Sequence, residues 1–467
     1  MNRRDFLLAL AAPAPASPKR PPNVIVIVAD DLGWGDLAIN GATDIRSPHI
    51  DGIAHAGVRF TQSYSNAPEC TPTRCALLTG RYQQRVGGLE CAIGVNNIGR
   101  YDEAEWLQQR GELGLPASQD TLGRRFKALG YETAITGKWH LGYAEKHWPK
   151  EHGFNYSFGI LGGNADYFTH EEEGEGAGKI QMFENSRRTR RSGYMTDVIA
   201  DAALDWVKRR KSKPFFLYLP FTAPHTPIQA REDFDPKTGT APHRQRYRPA
   251  YVRMVERMDS RIGDLLRLVD EISAAGNTIV IFTSDNGADV NGRNDPYRGS
   301  KSSVWEGGIR VPLHIRWPDV IRPGRNIDQV AMTMDLSPTL LGAAGSKTGV
   351  FDGMDLMSSI TGARGPIDRT VFWRYKRAKN VRRAVRHANW KYVDDNGMKS
   401  LHDLTRDPAE KNDLLAERGE IVRDLKNRLA EWERNVRSPR LRQFRPARSG
   451  GLAGWPVVPR QSTHRPL

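Results

Sequence analysis

The stretch Asn23-Val-Ile-Val-Ile-Val-Ala29-Asp30-Asp31 decides the fold. Residues 24–29 are all apolar and mostly β-branched, so the segment has no polar face. Such a run predicts a strand covered on both sides, as in the parallel sheet of an α/β protein. It ends in adjacent carboxylates, which repel each other at a strand end unless a cation or a proton intervenes. A second run, Thr278-Ile-Val-Ile-Phe-Thr283, ends similarly in Ser284-Asp285-Asn286-Gly287. Alone, Asp-Asn-Gly is a turn sequence and Asp-Asp a solvated pair. At the ends of two buried strands, Asp30, Asp31, Asp285 and Asn286 offer oxygen ligands only, a set suited to a hard cation such as Ca²⁺.

Further apolar strands near 132–136 and 215–219 alternate with helical patterns. Val255, Met258, Ile262, Leu265 and Val269 recur at helical spacing and mark one long amphipathic helix. Candidate site residues fall repeatedly at the C-terminal ends of strands, where an open α/β sheet forms its crevice. After Gly345 the pattern changes. Val371–Tyr375, Arg383–Arg386 and Lys391–Val393 read as short strands, followed by a helix from Ile421 to Val436. The organisation predicted is an α/β domain over 21–345, a smaller subdomain over 346–436 with an antiparallel sheet and a helix, and a basic tail over 437–467. That tail holds seven Arg and no acid, and its Pro/Gly content predicts an extended or poorly ordered segment. Between 160 and 195, a Gly- and Glu-rich insertion (His170–Lys179) precedes a basic cluster at Arg187–Arg191, a loop length that carries specificity or disorder.

Three segments carry chemistry. Cys70-Thr-Pro-Thr-Arg74 leads into Cys75-Ala-Leu-Leu-Thr-Gly80. Pro72 suits the first turn of a helix, which places Cys70 at an amide-rich N-terminus with Arg74 one turn on. The plain alternative is a packed cysteine behind a helix start. In Gly137-Lys138-Trp139-His140, residues 138 and 140 share a face if the chain stays extended; otherwise they belong to a surface loop. Ala223-Pro-His225-Thr-Pro227 follows a strand, and Lys301 lies in Arg298-Gly-Ser-Lys301-Ser-Ser-Val-Trp-Glu306-Gly-Gly-Ile-Arg310-Val-Pro312. Arg310 reads as structural.

Taken together, these segments resemble the sulfatase family over residues 22–436. The resemblance implies an alkaline-phosphatase-like fold: a central mixed, mostly parallel sheet flanked by helices, plus the smaller C-terminal subdomain. It implies that Cys70 is converted to formylglycine by a formylglycine-generating enzyme. Ca²⁺ would then be bound by Asp30, Asp31, Asp285, Asn286 and residue 70. Arg74 and Lys138 would hold the hydrated aldehyde, while Lys138, Lys301 and the metal stabilise the sulfate charge. His225, with Lys301, would protonate the leaving oxygen, and His140 would act as base in the release of sulfate. Asp166-Tyr-Phe-Thr-His170 resembles a segment of arylsulfatase-like members, making His170 a candidate substrate contact. The expected substrate is a sulfated carbohydrate or an aryl sulfate. A phosphonate monoester or phosphodiester hydrolase of the same superfamily is the alternative, and an inactive binder of anionic glycans a third reading.

A net charge of +15 favours an anionic substrate, and no nucleic-acid motif accompanies it. No apolar run approaches the roughly 20 residues of a membrane-spanning helix. Arg3-Arg4 ahead of Phe6-Leu-Leu and an Ala/Pro-rich stretch look like a twin-arginine export signal over 1–20, which places the protein in the periplasm or outside the cell. Of the three cysteines, Cys75 and Cys91 could pair or remain buried thiols.

Overall fold

Along Asn23–Ala29, side chains alternate between two apolar cores: Val24, Val26 and Val28 enter one, and Ile25, Ile27 and Ala29 the other. This is the period-2 arrangement of a strand with both faces covered. A computed structural model describes residues 20–94, 101–172, 182–210, 213–242, 246–346 and 349–444. The twin-arginine segment lies outside them.

The first strand is central to a ten-stranded sheet. Five strands run parallel in the order Thr278–Ser284, Asn23–Ala29, Phe215–Pro220, Glu132–Lys138 and Tyr156–Ile160. Short strands extend both edges, mostly antiparallel. Helices Cys70–Thr79 and Leu122–Ala128 pack on one face, and Pro48–His55, Met195–Lys208 and Arg248–Glu271 on the other. The expected mixed, mostly parallel α/β core is therefore present.

A separate four-stranded antiparallel sheet follows, with strands Thr370–Arg377, Asn380–His387, Trp390–Asp395 and Met398–Asp403 in sequence order. Its fourth strand is an addition to the sequence reading. Met398 is 72% exposed and Leu401 is the only buried aliphatic side chain there, so the edge strand lacks an apolar signature. Helix Gly419–Asn435 covers one face, with Phe372 stacked on Trp432. The opposite face joins the α/β core, where Trp373 Nε1 donates to Ser65 O.

Two expectations need correction. The stretch read as a loop before residue 195 contains a hairpin, Met182–Glu184 with Arg187–Arg188, that extends the sheet edge. The tail, expected to be extended from 437, stays packed through Phe444. Ser438 Oγ donates to Val86 O, Arg440 donates to Gly114 O, and Phe444 meets the Trp106 ring. These contacts are isolated rather than periodic, so no pattern in the chain announces them.

Candidate active site

The register of the central strands assembles the site. Ala29 pairs with Ser284, so Asp30 and Asp285 leave neighbouring strands side by side. Val28 pairs with Pro220, which brings the His225 loop to the same edge. Glu132–Lys138 lies beside Phe215–Pro220, and a Cβ at Gly137 would fall 1.9 Å from Pro220 O. Only glycine permits that approach, and it delivers Lys138 to the crevice.

Cys70 is the first residue of its helix and is buried. Lys138 Nζ donates to Asp30 Oδ2 at 2.5 Å and lies 3.4 Å from Cys70 Sγ. Arg74 is fully buried. Its Nε donates to Asp285 Oδ2 at 2.9 Å, its Nη1 donates to Lys138 O, and its Nη2 is 3.5 Å from Asp30 Oδ1. Lys301 Nζ donates to Asp31 Oδ2 at 2.6 Å and to His225 Nε2 at 3.1 Å. Ligand atoms of Asp30, Asp31, Cys70 and His225 all lie within 4.8 Å of one another. Asp285 Oδ1 accepts from the Asp31 amide, and Asn286 Nδ2 donates to Asp31 Oδ1 at 2.7 Å. All the residues named from the sequence, except His170, therefore converge.

Two observations test the fit of a cation. Asp30 Oδ1 and Asn286 Oδ1 are buried acceptors without a hydrogen-bond donor, an arrangement that costs about 1–3 kcal/mol each unless something fills it. The donors are hard oxygens, which fit Ca²⁺. His225 also falls inside the cluster, but its Nε2 faces the Lys301 ammonium and is a poor position for a metal.

Electrostatics assign protonation states. Burial opposes ionisation of Asp31, yet Lys301, His225 and Lys138 hold its carboxyl far below the usual range. Burial and then Asp30 push the Asp285 carboxyl up, against Arg74. Burial disfavours the Lys301 ammonium, but Asp31 more than compensates and keeps it charged. Burial and Lys301 bring His225 down to about 3. Its Nδ1–H donates to Thr226 O at 2.7 Å, so the neutral ring turns the Nε2 lone pair toward Lys301. Burial pushes the Cys70 thiol well up, and Asp285 and Asp30 add to that against Lys138, so no reactive thiolate is favoured.

His140 arrives by a different route from the one expected. The strand ends at Lys138, and His140 has φ +55°, so alternation does not place it. A left-handed turn does. His140 O accepts from Thr71 Oγ1, beside Cys70, and its Nε2–H donates to Ile93 O at 2.6 Å. That bond leaves Nδ1 as a buried acceptor without a donor. Burial, Lys138 and Arg74 keep the ring neutral. Asp31, at φ +62°, is the other non-glycine site residue in this conformation, which costs about 1–3 kcal/mol and concentrates at functional sites.

His170 stands apart. It bonds Gly193 O and lines a cavity of about 400 Å³ with Thr189, Arg190 and Arg191. Its segment does reach the site through Tyr167, whose hydroxyl donates to Thr222 O and His225 O, a contact the sequence reading did not single out. Arg310 is structural as read, bonded to Glu306 and set against Tyr297 and Trp34. Cys75 and Cys91 are separate buried thiols.

Comparisons with known proteins give the family. The sulfatase family model matches residues 22–346, and the model for the C-terminal region of N-sulphoglucosamine sulphohydrolase matches 300–435. The chain is 32% identical to steryl-sulfatase of Mus musculus, over 88% of this chain and 81% of that protein. It is 33% identical to N-acetylgalactosamine-6-sulfatase of Canis lupus familiaris, over 79% and 71%. Among solved structures it resembles Ps i-CgsB in complex with k-i-k-neocarrahexaose, with a TM-score of 0.79, 29% identity and coverage of 90% and 94%. With residues 22–346 matching the family model and the cluster around Cys70 assembled at the C-terminal ends of the central strands, the chain belongs to the sulfatase family and is a sulfuric ester hydrolase.

Proposed function

We propose that the chain removes sulfate from a sulfated carbohydrate, using a formylglycine made from Cys70 and a calcium ion. The observation that carries this reading is Cys70 buried between Lys138 and the Asp30/Asp31 pair, with two oxygen acceptors left without donors. The net charge of +15 and the likeness to a protein crystallised with neocarrahexaose support a carbohydrate.

Asp30, Asp31, Asp285, Asn286 and the residue-70 side chain would hold the calcium. When present, formylglycine supplies a hydroxyl nucleophile for sulfur, and calcium supplies positive charge opposite the sulfuryl oxygens. The protein's own residues account for the rest. Lys138 Nζ, 3.4 Å from residue 70, fixes its position, and Arg74, bonded to Lys138 O and Asp285, brings its guanidinium charge to the same pocket. Lys301 carries the proton for the departing alkoxide, and neutral His225 accepts from Lys301 and aims it. This sharpens the sequence reading, in which His225 led. His140 Nδ1, its partner nitrogen committed to Ile93 O, is placed to accept a proton. His170, with Arg190 and Arg191, is available to a further sugar ring at the adjacent cavity.

The test is turnover on a panel of sulfated saccharides, a steryl sulfate, an aryl sulfate and an aryl phosphodiester. Highest kcat/KM on a saccharide is expected; preference for the phosphodiester would overturn the reading. Export rests on Arg3-Arg4, and replacing both with Lys is expected to retain the protein in the cytoplasm, as read by fractionation.

A further inference from the structure

Glu69 precedes the nucleophile position and is 1% exposed. A buried carboxylate persists only where donors satisfy it, and this one has four. Oε1 accepts from Ser302 Oγ at 2.7 Å, Tyr375 OH at 2.8 Å and Arg377 Nη1 at 2.9 Å; Oε2 accepts from the Ala92 amide at 2.7 Å. These donors come from three separate parts of the chain. Tyr375 and Arg377 lie on one face of the first strand of the four-stranded sheet, two residues apart.

Ser302 is the informative partner, because it follows Lys301. It has φ +68°, a left-handed conformation that a non-glycine residue keeps only when its surroundings impose it. Three bonds do so: its amide donates to Pro68 O at 2.8 Å, its hydroxyl to Glu69, and its carbonyl accepts from Arg382 of the same sheet. Glu69 thus ties the turn carrying Lys301 to the segment carrying Cys70, and the C-terminal sheet clamps both.

We propose that Glu69 is a positioning residue that holds Lys301 at the leaving oxygen, with Ser302, Tyr375 and Arg377 as its partners. This rests on the proton-delivery role given to Lys301 above. A small displacement of a catalytic group costs about 10²-fold in rate. The cost here must follow the need for a proton, and it is therefore large for a sugar alkoxide and small for nitrophenolate.

The experiment measures kcat and KM of Glu69→Gln and Ser302→Ala on a sulfated sugar and on nitrophenyl sulfate, with Lys301→Ala alongside. Rates are divided by the fraction of residue 70 converted, read by peptide mass spectrometry, and folding is checked by thermal unfolding. Both variants are expected to lose about 10- to 100-fold in kcat on the sugar sulfate and no more than a few-fold on nitrophenyl sulfate. Equal losses on both substrates, or none, would overturn the proposal. Should Glu69→Gln fail to fold, Ser302→Ala decides by the same criterion, since it removes one hydroxyl and keeps the carboxylate. If Lys301→Ala itself shows no dependence on the leaving group, the proton-delivery reading fails, and that result is distinct from a failure of Glu69.

Discussion

At the C-terminal ends of the central strands, Asp30, Asp31 and Asp285 face Arg74, Lys138 and Lys301. Where the four-stranded sheet meets the α/β core, Glu306 and Glu410 clasp Lys391. Both clusters are buried and both pair carboxylates with cations. They differ in what is left over. Each Glu306 oxygen is covered: Lys391 bonds Oε1, and Tyr64 OH and Arg310 bond Oε2. In the first cluster Asp30 Oδ1, Asn286 Oδ1 and His140 Nδ1 have no donor, and Asp31 and His140 hold strained backbone. In the second cluster Glu410 also has φ +53°, and its Oε1 meets only the Lys391 ammonium, at 2.9 Å, so the difference is one of degree: a single such oxygen there, against two oxygens and a ring nitrogen in the first. The oxygens without donors in the first cluster are of the kind that suits a hard cation.

The contrast breaks first at the metal. Chelation is expected to abolish turnover, with Ca²⁺ restoring it better than Zn²⁺, and Asn286→Ala is expected to weaken the restoring affinity. Chelation should leave the Lys391 cluster untouched. Activity unchanged by a chelator would contradict a cation at Asp30 Oδ1 and Asn286 Oδ1.

His225→Ala removes the acceptor that aims Lys301. Losing general-acid assistance costs about 10²–10⁴ in rate, so turnover of a sugar sulfate is expected to fall by that order and that of nitrophenyl sulfate much less. His140→Ala is expected to slow both substrates alike. A reversed pattern in parallel assays would exchange the two roles.

Lys391→Ala leaves buried Glu410 without its cation and Glu306 with Arg310 alone, and breaking such a pair costs about 3–5 kcal/mol. Denaturant unfolding is expected to show that loss. A change below about 1 kcal/mol, the value of an exposed ion pair, would contradict a role for this cluster in joining the two layers.

The smallest effect is a pH dependence of stability. Burial, then Glu306, outweighs Lys391 and raises Glu410 from its ordinary 4.5 to about 7. A raised folded value means the folded state holds the proton more tightly, so this contribution is lost as pH rises from 4.5 to 7. Glu306 moves the other way. Burial opposes its ionisation, but Lys391 and Arg310 bring it from 4.5 to about 2, so its contribution is lost as pH falls through that range. Glu410→Gln is expected to flatten the upper limb only, and a change confined to the lower limb would reverse the assignment.

Much of the α/β core and of the candidate site was legible because strand burial and strand-end chemistry are local. Unbroken β-branched runs marked the central strands, and Asp30, Asp31, Asp285 and Asn286 sat at their ends. The Lys391 cluster was not legible, since Glu306, Lys391 and Glu410 are far apart in the chain and only the docking of the second sheet joins them. The same holds for Glu69, whose partners Ser302, Tyr375 and Arg377 lie more than two hundred residues away. His140 comes to the cluster by a left-handed turn and not by the alternation read from the sequence, because the strand stops at Lys138. The Met398–Asp403 edge strand was missed because an exposed edge needs no apolar pattern.

The central claim is that residue 70 acts as an aldehyde hydrate in a site that disfavours a thiolate. Mass spectrometry of the peptide spanning Cys70, on protein made with a formylglycine-generating enzyme and assayed in parallel, addresses it directly. The account predicts an aldehyde at position 70, with activity proportional to the converted fraction. Full activity from protein that carries only the unmodified Cys70 thiol would contradict it.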